Sequence, residues 1–388
     1  MISLSLVALV LLFVGVFAHI HPDAQRSFTE IITAAGYQVN RHEVIVEDGH
    51  ILTLFHIPAS ESTKHSLFVH GLAVNVASWF FGGSNSSVST PIHVLENTDS
   101  NVWFLALRGT SYSYKHVNLS SSDPQFWDWS MDEMIKYDLP TVVQYIFNTK
   151  HVSKFSLIGH SQGGAIILGS LSTHQWLNSL VDSAIVMAPA VYLHHIDVTL
   201  FKVLSKLNSR SIEFFLGNRN FLATPELMNK LVPGFCDRLD SVCRFTICLY
   251  IGCDGLGHID KERLPVVVSH APDETSVKNM IHFSQLVKNS LGKFQYFDYG
   301  NTELNLLHYG SSTPPMYDLT KVTTPIYLWS YGKDKLVSRH DMAFLSMDLQ
   351  YSEWNMVNQY GHGDCLFGND VEELMLVDIV RQLRREGF

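Results

Sequence analysis

FSLIGHSQGG (residues 155–164) runs from an apolar, strand-like segment into a serine set among glycines. Gly159-His160-Ser161-Gln162-Gly163 fits G-x-S-x-G, in which a strand turns sharply into a helix and lifts the serine hydroxyl above the sheet edge. The turn is so tight that side chains at the flanking positions would collide, hence the glycines. The helix that follows aims its first N–H groups at the same point, where negative charge is stabilised. Five residues of this pattern are common by themselves. The strand before them and the helical spacing of GGAIILGSLSTHQWLNSL (163–180) give them weight.

Outward from this turn, HSLFVHGL (65–72), VWFLALRG (102–109) and SAIVMAPA (183–190) are short apolar runs stopped by turn residues. Strands buried on both faces look like this. YQVNRHEVIVEDGHILTLFHIP (37–58) alternates apolar and polar residues around Asp48-Gly49, a hairpin signal. MDEMIKYDLPTVVQYIFNTK (131–150) has helical spacing, and TPIYLWSYGKD (324–334) and YSEWNMVNQYGHGD (351–364) add two strands that end in polar turns. DVEELMLVDIVRQLRR (370–385) is an amphipathic helix. The alternation predicts an α/β fold, a mostly parallel sheet with helices on both faces. From about 190 to 315 the alternation gives way to helix-like stretches, which predicts an inserted helical cap or lid. The expected division is a signal peptide over 1–18, a core in two parts over 19–189 and 316–388, and the cap over 190–315.

Hydrophobic residues make up 46% of the 388 and charged residues 16%, ample for a core and unlike a disordered chain. A net charge of −10 argues against binding nucleic acid. MISLSLVALVLLFVGVFAHIHPDA is apolar to Phe17, and Val16-Phe17-Ala18 fits the small-residue rule for cleavage after Ala18. The run is short for a membrane span of roughly 20 residues. Two glycosylation sequons, Asn85-Ser86-Ser87 and Asn118-Leu119-Ser120, agree with a secretory route. In that compartment Cys236, Cys243, Cys248 and Cys253 read as disulfide-forming, with three pairings open. Their spacings lack the C-x-x-C clip of a zinc site, and Cys365 stands apart as a free thiol.

A serine hydroxyl attacks poorly until a base takes its proton, and the base needs a carboxylate to fix its tautomer. In this strand-turn-helix setting the partners follow in the order serine, acid, histidine. Asp334 in Tyr331-Gly332-Lys333-Asp334 supplies a carboxylate just past a late strand. His362, between Gly361 and Gly363 at the end of the next strand, is singled out by position among 20 histidines. Asp341, Asp348 and Asp364 compete for the acid's role. An oxyanion pocket would take the backbone N–H of Gln162 and that of Leu72, from the loop LFVHGLAVN (67–75).

At this level of detail the chain resembles the acid lipase family, the gastric and lysosomal acid lipases with their invertebrate relatives. The resemblance spans nearly all of the chain after residue 18. It rests on HEVIVEDGHIL (42–52), HGLAVNVASW (70–79), RGTSYSYKH (108–116), FWDWSMDEMIKYDLP (126–140), IGHSQGG (158–164), HAPDETSVKNMIHFSQLVKNSLGKFQYFDYG (270–300), PPMYDLTKVTTPIYLWSYGKDKL (314–336) and YGHGDCLFGND (360–370). It implies the α/β-hydrolase fold, with Ser161 as nucleophile, Asp334 as acid and His362 as base. Leu72 and Gln162 fall on the oxyanion positions, and a Cys236–Cys243 disulfide lies in the cap.

The resemblance also implies a lipid ester substrate, such as an acylglycerol or sterol ester, met at droplets, micelles or a membrane interface. Metal or organic cofactor is not needed for this chemistry. The expected location is lysosomal or extracellular, and the expected working pH acidic. A free imidazole titrates near pH 6.5, so an acid optimum requires either a base buried under an apolar cap or turnover by a small neutral fraction. Two other readings share the triad or the fold: a catalytically idle lipid-binding protein, and another acyl transferase or amidase. Gly164 stands where the family usually has Thr, Leu105-Ala106 where it has Gly-Asn, and Gly363 where it has a bulky apolar residue. These departures bear on pocket shape, and Gly363 on how firmly the base is seated.

Overall fold

In the computed structural model, residues 21–207, 212, 216–221, 236, 240–252, 257–289 and 292–388 are described. The expected signal peptide (1–18) lies outside them. β1 (Asn40–Ile45) and β2 (His50–Ile57) form the hairpin read from the sequence, antiparallel with His42 opposite Leu54. Its turn closes through a 2.9 Å bond from the Gly49 N–H to the Val46 carbonyl. Gly49 follows at φ +94°, where a side chain is strained, so the glycine ends the turn instead of sitting at its tip.

The other strands are β3 (Lys64–Val69), β4 (Asn101–Leu105), β5 (Lys115–His116), β6 (Lys154–His160), β7 (Ser183–Met187), β8 (Asn220–Phe221), β9 (Thr275–Ser276), β10 (Ile326–Tyr331) and β11 (Ser352–Val357). The large sheet has the order β1-β2-β4-β3-β6-β7-β10-β11, with β5 on β2 and β8-β9 forming a separate pair. From β4 to β11 all neighbours are parallel. Every residue of β4, β7 and β10 is buried, which is why these strands read as continuous apolar runs.

The helix Gln162–Thr173 packs behind β6 and is buried from Gln162 to Ser172. The helical run expected over 131–150 contains a π turn at Met134–Asp138, followed by the helix Leu139–Thr149. Pro140 has no N–H for residue 136, and a wider turn ahead of it absorbs that loss. Asp138, fully buried there, pairs with Arg108 through its Nε and Nη2, while Arg108 Nη1 lies 2.6 Å from Asp48. The hairpin turn is thereby tied to the sheet's helical layer.

Between β7 and β10 the chain leaves the sheet for the helices Thr199–Lys206, Asp240–Ile251, Leu264–His270, Val277–Lys288 and Thr302–Tyr309. Cys236 and Cys243 are joined by a disulfide in this stretch. Cys248 is also disulfide-bonded, and Cys253 lies outside the described residues. Cys365 is a buried free thiol. Among the described residues no helix is long and apolar enough to cross a membrane.

Candidate active site

Ser161 sits between the end of β6 and the first turn of the helix Gln162–Thr173, at φ +56° and ψ −118°. A side chain held at positive φ is costly and persists only where its surroundings fix it. Here the Ser161 N–H donates to the Met187 carbonyl (2.9 Å), and its own carbonyl accepts from Ala190 (3.0 Å). The glycines on either side are required by contact. A Cβ on Gly163 would lie 2.1 Å from the Val69 carbonyl oxygen, and one on Gly159 would lie 2.8 Å from Gly163 backbone.

The strand-end turns after β10 and β11 bring Asp334 and His362 to this serine. His362 Nε2 is 2.9 Å from Ser161 Oγ, and His362 Nδ1 is 2.8 Å from Asp334 Oδ2. The second Asp334 oxygen accepts from the N–H groups of Leu336 (2.7 Å) and Val337 (2.9 Å). Asp334 therefore accepts one proton from the imidazole side, which leaves Nε2 as the acceptor facing the hydroxyl. All three side chains are buried. The competing carboxylates are engaged elsewhere: Asp341 with Ser338 and His195, Asp348 with Tyr192 and Lys293, and Asp364 with the Gly361 N–H.

Leu72 follows β3, in a loop pressed against the serine. A Cβ on Gly71 would be 3.1 Å from Ser161 Cβ. Gln162 begins the helix, and neither its N–H nor that of Leu72 enters the turn and loop backbone bonding of the described residues. The Gln162 side chain is fixed by Asn279 of the helix Val277–Lys288 (2.9 Å).

Two histidines that the sequence did not single out hold these loops. His70 accepts the Leu107 N–H at Nε2 (3.1 Å), which leaves Nδ1–H to donate to the Gly71 carbonyl (3.0 Å). His160 donates from Nε2 to the carbonyl of His362 (2.9 Å) and so anchors the loop that carries His362. Burial pushes both imidazoles down, His70 to about 4 and His160 to about 3. Each stays neutral, with its wiring intact, at pH 5. Their signal in sequence was position alone, one just before Gly71-Leu72 and one inside G-x-S-x-G.

A cavity of about 100 Å³ opens above Ser161 and His362, lined mostly by apolar side chains: Phe201, Ile247, Ile251 and Phe283 come from the helical stretch between β7 and β10, and Leu72 and Phe367 from the loops beside the serine and His362. Of the three departures from the family pattern only Gly363 borders it. Gly164 instead packs on Pro189, whose Cβ would be 2.9 Å from an added Cβ. Gly363 leaves no gap beside His362. The Phe367 ring lies 2.5 Å and Ile251 2.9 Å from where its Cβ would be, so these two side chains supply the bulk that the glycine lacks.

Residues 67–369 match the alpha/beta hydrolase fold family, and residues 28–83 match the partial alpha/beta-hydrolase lipase region. The gastric triacylglycerol lipase of Bos taurus is 30% identical over 378 residues, covering 95% of this chain and 93% of that one. That of Rattus norvegicus is 29% identical, covering 94% and 93%. Among solved structures, a soluble variant of monoglyceride lipase from Saccharomyces cerevisiae superposes with a TM-score of 0.55 at 13% identity, over 94% of this chain and 98% of that one. The chain belongs to the acid lipase family of α/β-hydrolases.

Proposed function

We propose that this protein hydrolyses fatty-acyl esters, of acylglycerols or sterols, through an acyl-enzyme on Ser161. The observation that carries the reading is the hydrogen-bonded chain Ser161–His362–Asp334 opening into an apolar cavity. His362 Nε2 takes the Ser161 proton as Oγ attacks the ester carbonyl. Asp334 holds the tautomer and balances the imidazolium that forms. The oxyanion lies against the N–H groups of Leu72 and Gln162, each contributing about 3–4 kcal/mol to the barrier reduction. The leaving alcohol collects the proton from His362, and water then cleaves the acyl-enzyme by the same relay.

The relatives named as triacylglycerol lipases support a lipid ester over a small soluble one. Residues 190–315 act as the cap in this reading. Their exposed Val203, Leu207 and Phe245 supply an apolar surface suited to a droplet, micelle or membrane interface. The apolar run over 1–18, read as a cleaved leader, and the exposed sequons at Asn85 and Asn118 support a secretory route, to lysosomes or out of the cell. His70 and His160 are compatible with an acidic working pH, because burial keeps them neutral, and both loops held, at pH 5 as at pH 7. The test is fatty-acid release by purified protein from triolein, cholesteryl oleate and a matched amide at pH 5. Release from either ester, lost in Ser161→Ala and His362→Ala, is expected. Cleavage of the amide alone, or of none of the three, would overturn the reading.

A further inference from the structure

Asp273 lies between the helices Leu264–His270 and Val277–Lys288, in the stretch that leaves the sheet, and is buried with no cation paired to its carboxylate among the described residues. Its charge is met by hydrogen-bond donors alone. Oδ2 accepts from Asn75 Nδ2 (2.8 Å) and Ser111 Oγ (2.7 Å), and Oδ1 from the N–H groups of Ser111 (3.1 Å) and Glu274 (2.7 Å). A carboxylate with this many donors is well satisfied, and each donor comes from a segment it thereby fixes.

Two of those segments bear on the serine site. The Asp273 N–H donates to the Ala73 carbonyl (2.9 Å), and its carboxylate holds Asn75, two residues further along the same loop. Ala73 sits at φ +57°, a conformation that a residue with a Cβ avoids unless held there. Leu72, immediately before it, presents its N–H only while Ala73 keeps this turn. From the other side His70 fixes Gly71. Asp273 also joins Ser111 of the turn after β4, so three stretches distant in sequence meet at one carboxylate. Its neighbour Glu274 extends the tie, accepting from the Tyr114 hydroxyl and from Asn220 Nδ2.

We infer that Asp273 is a positioning residue that locks the loop carrying the Leu72 N–H, so that the oxyanion pocket is assembled only while the helical stretch between β7 and β10 is docked. This rests on the reading of Ser161 and Leu72 given above. A loop displaced by an ångström loses transition-state stabilisation while ground-state binding in the apolar cavity is retained. The loss therefore falls on kcat and spares KM.

The experiment uses the full chain with a soluble short-chain p-nitrophenyl ester, and also follows the rate of Ser161 phosphonylation, whose tetrahedral adduct needs the same N–H groups. Asp273→Ala is expected to lower kcat about 10- to 100-fold with KM within about threefold, and to slow phosphonylation in step. Ser111→Ala, which keeps its backbone N–H, should lower kcat by about two- to fivefold. It decides the matter if Asp273→Ala does not fold. Asp273→Asn, still able to accept from one side, should fall between them. Tyr114→Phe, which cuts only the Glu274 tie, should leave both rates unchanged. Phosphonylation at the parent rate in Asp273→Ala and Ser111→Ala would overturn the inference. Turnover surviving in Ser161→Ala would instead overturn the underlying serine reading, whatever the Asp273 variants do.

Discussion

Asp364→Asn tests whether the loop that carries His362 is built for acid. Asp364 is fully buried two residues after His362, and only Oδ2 has a partner among the described residues, the Gly361 N–H at 2.7 Å. Burial pushes its carboxyl up from 3.8 to about 7, against the smaller pull of that N–H and of His258. The sign follows from proton binding. Between about pH 4 and 7 the folded protein holds a proton that the unfolded chain has lost. The stabilisation is thus fully present below pH 4 and disappears as pH rises through 7. A rise of this size corresponds to about 2–4 kcal/mol.

Asparagine keeps the acceptor for Gly361 but places an unpartnered NH2 where Oδ1 was, a constant cost of about 1–2 kcal/mol. The variant should therefore be less stable than the parent at pH 4, match it near pH 5 and be more stable at pH 8.5. Urea unfolding of both proteins from pH 4 to 9 measures this, since the difference between them cancels every other titrating group. Parallel pH profiles, with no crossing, would refute the argument that Asp364 is held protonated.

Other substitutions probe the frame around the site. Arg108→Ala leaves Asp138 buried and unpaired, and should cost about 3–5 kcal/mol in urea unfolding. Gly363→Leu must push aside the Phe367 ring and Ile251. It should lose about 1–3 kcal/mol and shift the kcat/KM ratio of long to short acyl esters, because both displaced side chains border the cavity. His160→Ala frees the carbonyl of His362 and should lower kcat more than it raises KM, as read from steady-state kinetics on a soluble ester.

Much of the fold was legible because its strands carry the signal themselves. Runs such as LFV, WFL and IVM, buried on both faces, admit few other readings once turn residues bound them. The elbow was legible for a local reason as well, since Gly159 and Gly163 are demanded by contacts that any side chain would violate. What escaped depends on contacts between segments far apart in sequence. Nothing near Asp273 announces that Asn75 and Ser111 will converge on it. The packing beside His362 was hidden for the same reason. The bulk missing at Gly363 returns from Phe367, one helical turn later, and from Ile251 in the helix Asp240–Ile251, over a hundred residues earlier. The π turn at Met134–Asp138 was hidden too, because its periodicity differs little from that of an α-helix, although Pro140 marked the place.

The central claim is that Ser161 is the nucleophile in ester hydrolysis. The measurement that tests it most directly is peptide mapping by mass spectrometry after reaction with a fluorophosphonate, with residual esterase activity followed in the same samples. The account predicts one phosphonyl group per chain, on the peptide containing Ser161, with activity falling in proportion to its occupancy and neither label nor activity in Ser161→Ala. A label on another residue that tracks the loss of activity, or full activity with Ser161 completely modified, would contradict it.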